Sequence, residues 1–259
     1  MKRRNFLAGL VGTTVAWPLT ALAQQPAMPV IGFLNSASPQ PFENYVAGFR
    51  AGLKETGYVD GQNFAIEFRW AEGHYDQLPE MAADLVRRKV AVLVATGGVP
   101  TVLAAKAATT TVPVAFAIGG DPVRFGFVTS LSRPGGNMTG VSLLVTQMET
   151  KRLGLLRALV PKAELIAILL NPNNPVATDE MREVQEAARA FGQQIHILPA
   201  SSVSEINAAF ATVVQLHAAA MLVCADPFFN SQRAKIIALA ARDAIPAIYE
   251  QREHALAGG

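Results

Sequence analysis

Four apolar runs in this chain stop abruptly on residues of the kind that hold small molecules. Val114 to Ile118 ends in Gly119-Gly120-Asp121-Pro122, and Val92 to Ala95 ends in Thr96-Gly97-Gly98. Ile168 to Leu170 ends in Asn171-Pro172-Asn173, and Leu222 to Cys224 ends in Ala225-Asp226-Pro227. Asn35-Ser36 follow the first apolar run, and Tyr249-Glu250 follow the last. The candidate ligand-binding residues are therefore Asn35, Ser36, Thr96, Gly97, Gly98, Gly120, Asp121, Asn171, Asp226, Tyr249 and Glu250. Asp121, Asp226 or Glu250 can pair with an ammonium, and the free N–H groups of helices that start after such turns favour a carboxylate. Trp70 and Tyr75, which follow the second run, can add a flat apolar wall. The inventory suits a small zwitterion.

Catalytic sets are missing from the same stretches. No Gly-x-Gly-x-x-Gly follows the first run, and there is no Walker-type Gly-x-x-x-x-Gly-Lys and no Gly-x-Ser-x-Gly elbow. His74, His196, His217 and His254 are far apart and lack metal-ligand spacing. The reading is a binding protein without cofactor or metal. The alternative readings are a ligand-sensing domain for a membrane signalling partner, and a hydrolase or lyase with Asp121 or Asp226 as base.

The elements that must position these residues alternate between strands and helices. The apolar runs are strands buried on both faces, as in a parallel sheet. Strands are expected at residues 30–34, 64–68, 90–95, 114–118 and 138–144, with the second, alternating one nearer an edge. Helices are expected at 43–56, 76–88 with Asp76 as cap, 100–108 and 123–131. In the helix at 43–56, Tyr45, Phe49 and Leu53 are spaced four apart on one face. The pattern restarts after a helix at 147–159. Strands then fall at 165–170, 195–198, 220–224 and 247–249. Helices run from Asn174 or Thr178 to Phe191, from a capping box at Ser202–Glu205 to His217, and from Ser231 to Asp243. The fold class is α/β, with two doubly wound lobes at 28–145 and 146–259 and a ligand cleft where their strand ends face each other.

Lys2-Arg3-Arg4, an apolar stretch from Phe6 and the small residues Ala21-Leu22-Ala23 form an export signal, cleaved after Ala23, with the paired arginines of the twin-arginine type. Cleavage leaves 236 of 259 residues and removes three positive charges, taking the formal net charge from +2 to −1. That balance gives no electrostatic case for nucleic acid. The single cysteine, Cys224, lies in an apolar run and reads as a buried small hydrophobe. Leu256-Ala257-Gly258-Gly259 approach a turn without a closing helix, so roughly one or two further strand–helix units are expected to follow.

Several segments resemble one family. They are Arg3-Arg4-Asn5-Phe6-Leu7, Val30 to Leu34, Phe49-Arg50-Ala51-Gly52-Leu53, Ala115 to Val123, and Ser132-Arg133-Pro134-Gly135-Gly136-Asn137-Met138-Thr139-Gly140-Val141. They are similar to the ABC-transporter substrate-binding proteins of the tryptophan-binding-like group. The resemblance implies a type I periplasmic binding fold that closes on a solute, an amino acid or an aromatic one, and passes it to an inner-membrane ABC permease. It further implies a periplasmic, monomeric protein, a chain that continues past Gly259 to return to the first lobe, and cleft positions at Ser36, Thr96, Gly97, Asp121, Asn171, Asp226 and Tyr249.

Overall fold

A computed structural model describes residues 28–143 and 148–259. The export signal and the boundary expected between residues 145 and 146 lie outside the described residues. The first lobe runs β1 (Val30–Asn35), α1 (Glu43–Glu55), β2 (Ala65–Trp70), α2 (Leu78–Arg87), β3 (Val92–Thr96), α3 (Val99–Ala108), β4 (Val114–Ile118) and β5 (Met138–Ser142). Its strands are parallel in the order β2-β1-β3-β4-β5. The second lobe runs α4 (Glu149–Leu159), β6 (Leu165–Leu170), α5 (Ala177–Phe191), β7 (Gln194–Pro199), α6 (Val203–Gln215), β8 (Ala220–Val223), α7 (Pro227–Ser231), α8 (Arg233–Arg242), β9 (Ala247–Ile248) and α9 (Arg252–Leu256). Its parallel order is β7-β6-β8-β9. Parallel order with the first strand inside makes each lobe doubly wound, so all strand carboxyl ends fall on one edge.

The continuous apolar strands are central and the alternating one is at the edge, because only a central strand has helices over both faces. In β6, Ile166 to Leu169 are buried throughout, whereas every residue of the edge strand β2 is half-buried. Leu93, Ala95, Val102 and Ala105 pack between the first sheet and the α2–α3 layer. Phe33, Val46 and Val94 pack on its other face, under α1. In the second lobe, Ile206, Phe210 and Ile236 cover one face and Leu153, Leu156 and Val184 the other. Cys224 is buried and unpaired within that second layer.

Four local expectations change. Residues 123–131 form turns, because Gly126 takes φ +64° and Lys106 holds its carbonyl at 2.9 Å. Asp76 does not cap α2, which follows a 3-10 turn at Tyr75–Gln77 and starts at Leu78 with no side-chain cap. Neither Asn174 nor Thr178 caps α5, whose N-cap is Val176, because the Asn174 side chain is taken up by other partners. The helix expected from Ser231 begins earlier, at α7, where the Asp226 carboxylate accepts from the N–H groups of Phe228 and Phe229, and resumes as α8. The Ser202 cap does form: its hydroxyl accepts from the Glu205 N–H at 3.3 Å, while Glu205 reaches back to the Ser201 N–H at 2.7 Å. Ser202→Ala is expected to lower unfolding free energy by about 1 kcal/mol, read as a shifted urea midpoint with unchanged slope.

Candidate ligand cleft

The two rows of strand ends face each other and enclose a cavity of about 460 Å³. The first lobe contributes Thr96, Gly97, Gly98 and Val99 after β3, and Ala117 to Gly120 after β4. The second contributes Ala225, Asp226 and Pro227 after β8, Glu250 and Gln251 after β9, Asn174 from the turn after β6, and Asn230 from α7. Of the residues expected to bind ligand, Thr96, Gly97, Gly98, Gly120, Asp226 and Glu250 line this space.

The others stand elsewhere. Asn35 is fully buried behind Thr96, where its Nδ2 donates to Thr96 Oγ1 at 2.9 Å and its Oδ1 accepts from the Ala37 N–H at 2.7 Å. Ser36, also fully buried, donates to the Gly97 carbonyl. These two residues shape the β3 turn from beneath. Asn171 donates to Asp226 at 3.0 Å. Tyr249 stacks on His254 with ring centroids 4.6 Å apart. Asp121 caps the N–H groups of Val123 and Arg124 in an outer crevice, near the Arg124–Asp179 ion pair that joins the lobes. The backbone bends after β4 at Gly119-Gly120 and after β3 at Gly97-Gly98, and of these two pairs only Gly97-Gly98 takes positive φ, +84° and +97°. A Cβ on Gly97 would lie 2.3 Å from Asn35 Oδ1, and one on Gly98 would lie 2.9 Å from Pro227 across the cleft. At Gly120 the constraint is space, since a Cβ would stand 3.0 Å from Val99 Cγ2.

The aromatic wall is made by residues other than those expected. Phe33, Phe42, Tyr45 and Phe49 line the cavity. Trp70 stands one ring behind them, 5.7 Å from Phe33 and 6.1 Å from Phe42. The period of Tyr45 and Phe49 on α1 marks an apolar face but does not say whether that face meets core or cleft. Only Val46 of α1 is buried, and Tyr45 is 43% exposed.

Tyr75 crosses between the lobes. It packs against the cores of both, and its hydroxyl donates to the Asp226 carboxylate at 3.0 Å. Asn174 Nδ2 at 2.8 Å, Asn171 Nδ2 at 3.0 Å, the Phe228 N–H at 2.9 Å and the Phe229 N–H at 3.3 Å complete the donors to Asp226. Burial raises the Asp226 pKa, and these donors oppose the shift by favouring the carboxylate. With its acceptor sites filled by protein, Asp226 is not a free base, and Asp121 lies outside the cavity. Glu250 is less committed: Asn230 Nδ2 donates to its Oε1 at 2.6 Å, and the group remains accessible from the cavity. Its pKa is raised by burial.

Two parallel α/β lobes joined by buried polar contacts, with a lined cavity between their strand ends, define a two-lobed solute receptor. The chain belongs to the ABC transporter substrate binding protein family, whose model matches residues 30–259. This is a family of binding proteins rather than enzymes. A curated relative, the tyrosine-binding protein of Clostridioides difficile, is 30% identical over 167 residues, which are 64% of this chain. The chain spans about half, 48%, of that relative's length. A Streptococcus pneumoniae ABC domain solved in complex with L-Trp is 25% identical, with a TM-score of 0.76 over 89% of this chain and 77% of that one. A conserved domain protein from Vibrio cholerae shares the fold at 23% identity, with a TM-score of 0.79 over 90% of this chain and 77% of the other. Among the described residues, no helix is long and apolar enough to cross a membrane, and no group of His, Cys, Asp and Glu could hold a metal.

Tyr75→Phe removes one donor to a buried carboxylate and a bond between lobes. It is expected to lower unfolding free energy by about 1.5–3 kcal/mol, measured by urea denaturation. A second expectation concerns pH. Glu149, buried in α4, has its pKa pushed up to about 7 by burial, with the Arg152 guanidinium opposing. The folded chain therefore holds more protons at Glu149 than the unfolded chain from about pH 4.3 upward, and its stability contribution falls as pH rises to about 7. His254, lowered to about 4 mainly by burial, acts in the opposite sense, but its gain is complete above its unfolded value of about 6.5. Unfolding free energy should thus decline between about pH 6.5 and 8, and Glu149→Gln should flatten that decline.

Proposed function

We propose that this chain is the exported receptor of an ABC uptake system, and that it binds an amino acid with an aromatic side chain between its lobes. The observation that carries the reading is the division of the cavity walls. One side presents the rings of Phe33, Phe42, Tyr45 and Phe49, and the other presents Glu250 beside Asp226, Asn174 and Asn230. A cavity of about 460 Å³ lies in the range of roughly 300–1,000 Å³ that suits small ligands. The rings take the side chain, and Glu250 takes the ammonium. The N-terminus of α3, which has no side-chain cap and opens on the cavity at Gly98 and Val99, takes the carboxylate. The curated relative named for tyrosine and the solved relative holding L-Trp support this ligand class.

Closure follows from the same placement. A ligand that touches both walls binds the closed form better and shifts the equilibrium toward it. The closed form then presents the surface that a membrane permease recognises. Arg3-Arg4 and Ala21-Leu22-Ala23 carry the proposal of export and of a periplasmic location.

A thermal-shift screen of the chain from Gln24, against amino acids, sugars, nucleosides and carboxylates, tests the reading. Tyrosine or tryptophan at about 100 times its dissociation constant is expected to add about 2.7 kcal/mol, raising the midpoint by roughly 5–10 °C. A response confined to sugars or nucleosides would overturn the ligand assignment. Glu250→Gln is expected to weaken binding of the amino acid by about 30-fold or more, the lower end of what loss of one buried partner costs, as read by calorimetry.

A further inference from the structure

The acidic wall of the cavity continues inward as a buried group of charges that solute contact alone does not explain. Glu149 and Glu180 are 0% and 2% exposed, and Arg152, one turn on from Glu149 in α4, is 7% exposed. Arg152 pairs with Glu149 and donates to the Val223 carbonyl at 3.1 Å, at the end of β8 that leads to Asp226. Glu149 Oε2, Glu180 Oε1 and Arg152 Nε have no hydrogen-bond partner. Of the four shielded carboxyl groups Glu149, Glu180, Asp226 and Glu250, only Glu149 has a guanidinium within ion-pair distance among the described residues. Buried carboxylates in that excess would repel one another at low dielectric, and unpartnered oxygens would leave the charge unsolvated.

We propose that Glu149, Glu180 and Glu250 form a charge-selecting group that holds at least one proton while the cleft is empty and releases it to solvent when a cationic nitrogen seats against Glu250. This rests on the reading of the solute as an ammonium compound. In the exchange, one carboxylic O–H gives its proton to the buffer, and the ligand's positive charge replaces it, so the net charge of the site is unchanged. The inward shift of all three pKa values is upward, mainly from burial. Arg152 lowers them, and Asp226 and Glu183 add negative charge. Cys224 is a buried thiol held neutral mainly by burial. His254 of α9 is kept neutral by burial and by Arg233. Affinity for ammonium ligands therefore rises with pH across the titration of the group, and neutral or anionic analogues gain nothing from it.

Two measurements on the full chain test this. Carboxyl-carbon NMR of the protein labelled at glutamate, titrated without ligand, should show at least one Glu with a midpoint near 7 that disappears in Glu149→Gln or Glu180→Gln. All glutamates titrating near their ordinary value of about 4.3 would overturn the proposal. Calorimetry with L-tryptophan and tryptamine in phosphate and in Tris should give enthalpies that differ by the buffers' ionisation heats, corresponding to about half to one proton released per ligand at pH 7. Indole-3-propionate, which lacks the nitrogen, should release none. Tight binding of L-tryptophan with no buffer dependence would overturn the coupling and leave the ligand assignment standing. If neither amine binds, the ligand reading fails and takes the coupling with it.

Discussion

The Asp226 carboxylate is the constraint on which the arrangement depends. A charge buried at 2% exposure is tolerated only when its acceptor positions are filled. Asp226 fills them with groups from places far apart in the chain: Tyr75 from the first lobe, Asn171 and Asn174 from the turn after β6, and the N–H groups that begin α7. One side chain thereby ties the ends of β6 and β8 together and couples both to the opposite lobe. The close approaches around it follow. Gly73 and Gly98 let the first lobe's backbone meet Phe228 and Pro227, where a Cβ would lie 2.7 Å and 2.9 Å away.

With Asp226 committed to holding the lobes, the cavity divides its labour by lobe. The first lobe supplies rings and turn N–H groups, and the second supplies carboxylate and amide. Glu149, Arg152 and Glu180 are buried on α4 and α5, the helices whose Leu153, Leu156 and Val184 pack on the second sheet.

Expectations drawn from local pattern were strongest where one physical requirement acts alone. The apolar runs at 92–95, 114–118 and 165–170 had to be central strands because only two covered faces suit them, and they are. Ser202 caps α6 because a hydroxyl three residues before Glu205 has an N–H within reach. Patterns that serve two purposes were ambiguous. Tyr45 and Phe49 have core spacing yet face the cleft, since a helix period reports an apolar face and not its partner. Asn35, Ser36 and Asn171 sit at strand ends, as ligand residues do, but turn back to bind Thr96, Gly97 and Asp226.

The sequence by itself determined the strands and most of the helices, their division into two parallel α/β lobes, and the edge on which a site would form. These follow from hydrophobic period, turn residues and the handedness of parallel connections, all of which act over a few residues to a few tens. Only the tertiary structure decided which polar strand ends face the cavity and which are consumed beneath it. It also decided that Tyr75 spans the lobes rather than lining the cleft, and that Glu149 and Glu180 of separate helices are both buried. Those outcomes depend on the competition among buried donors and acceptors for one another. Residues such as Tyr75 and Asp226, 151 positions apart, enter that competition only once the chain has folded.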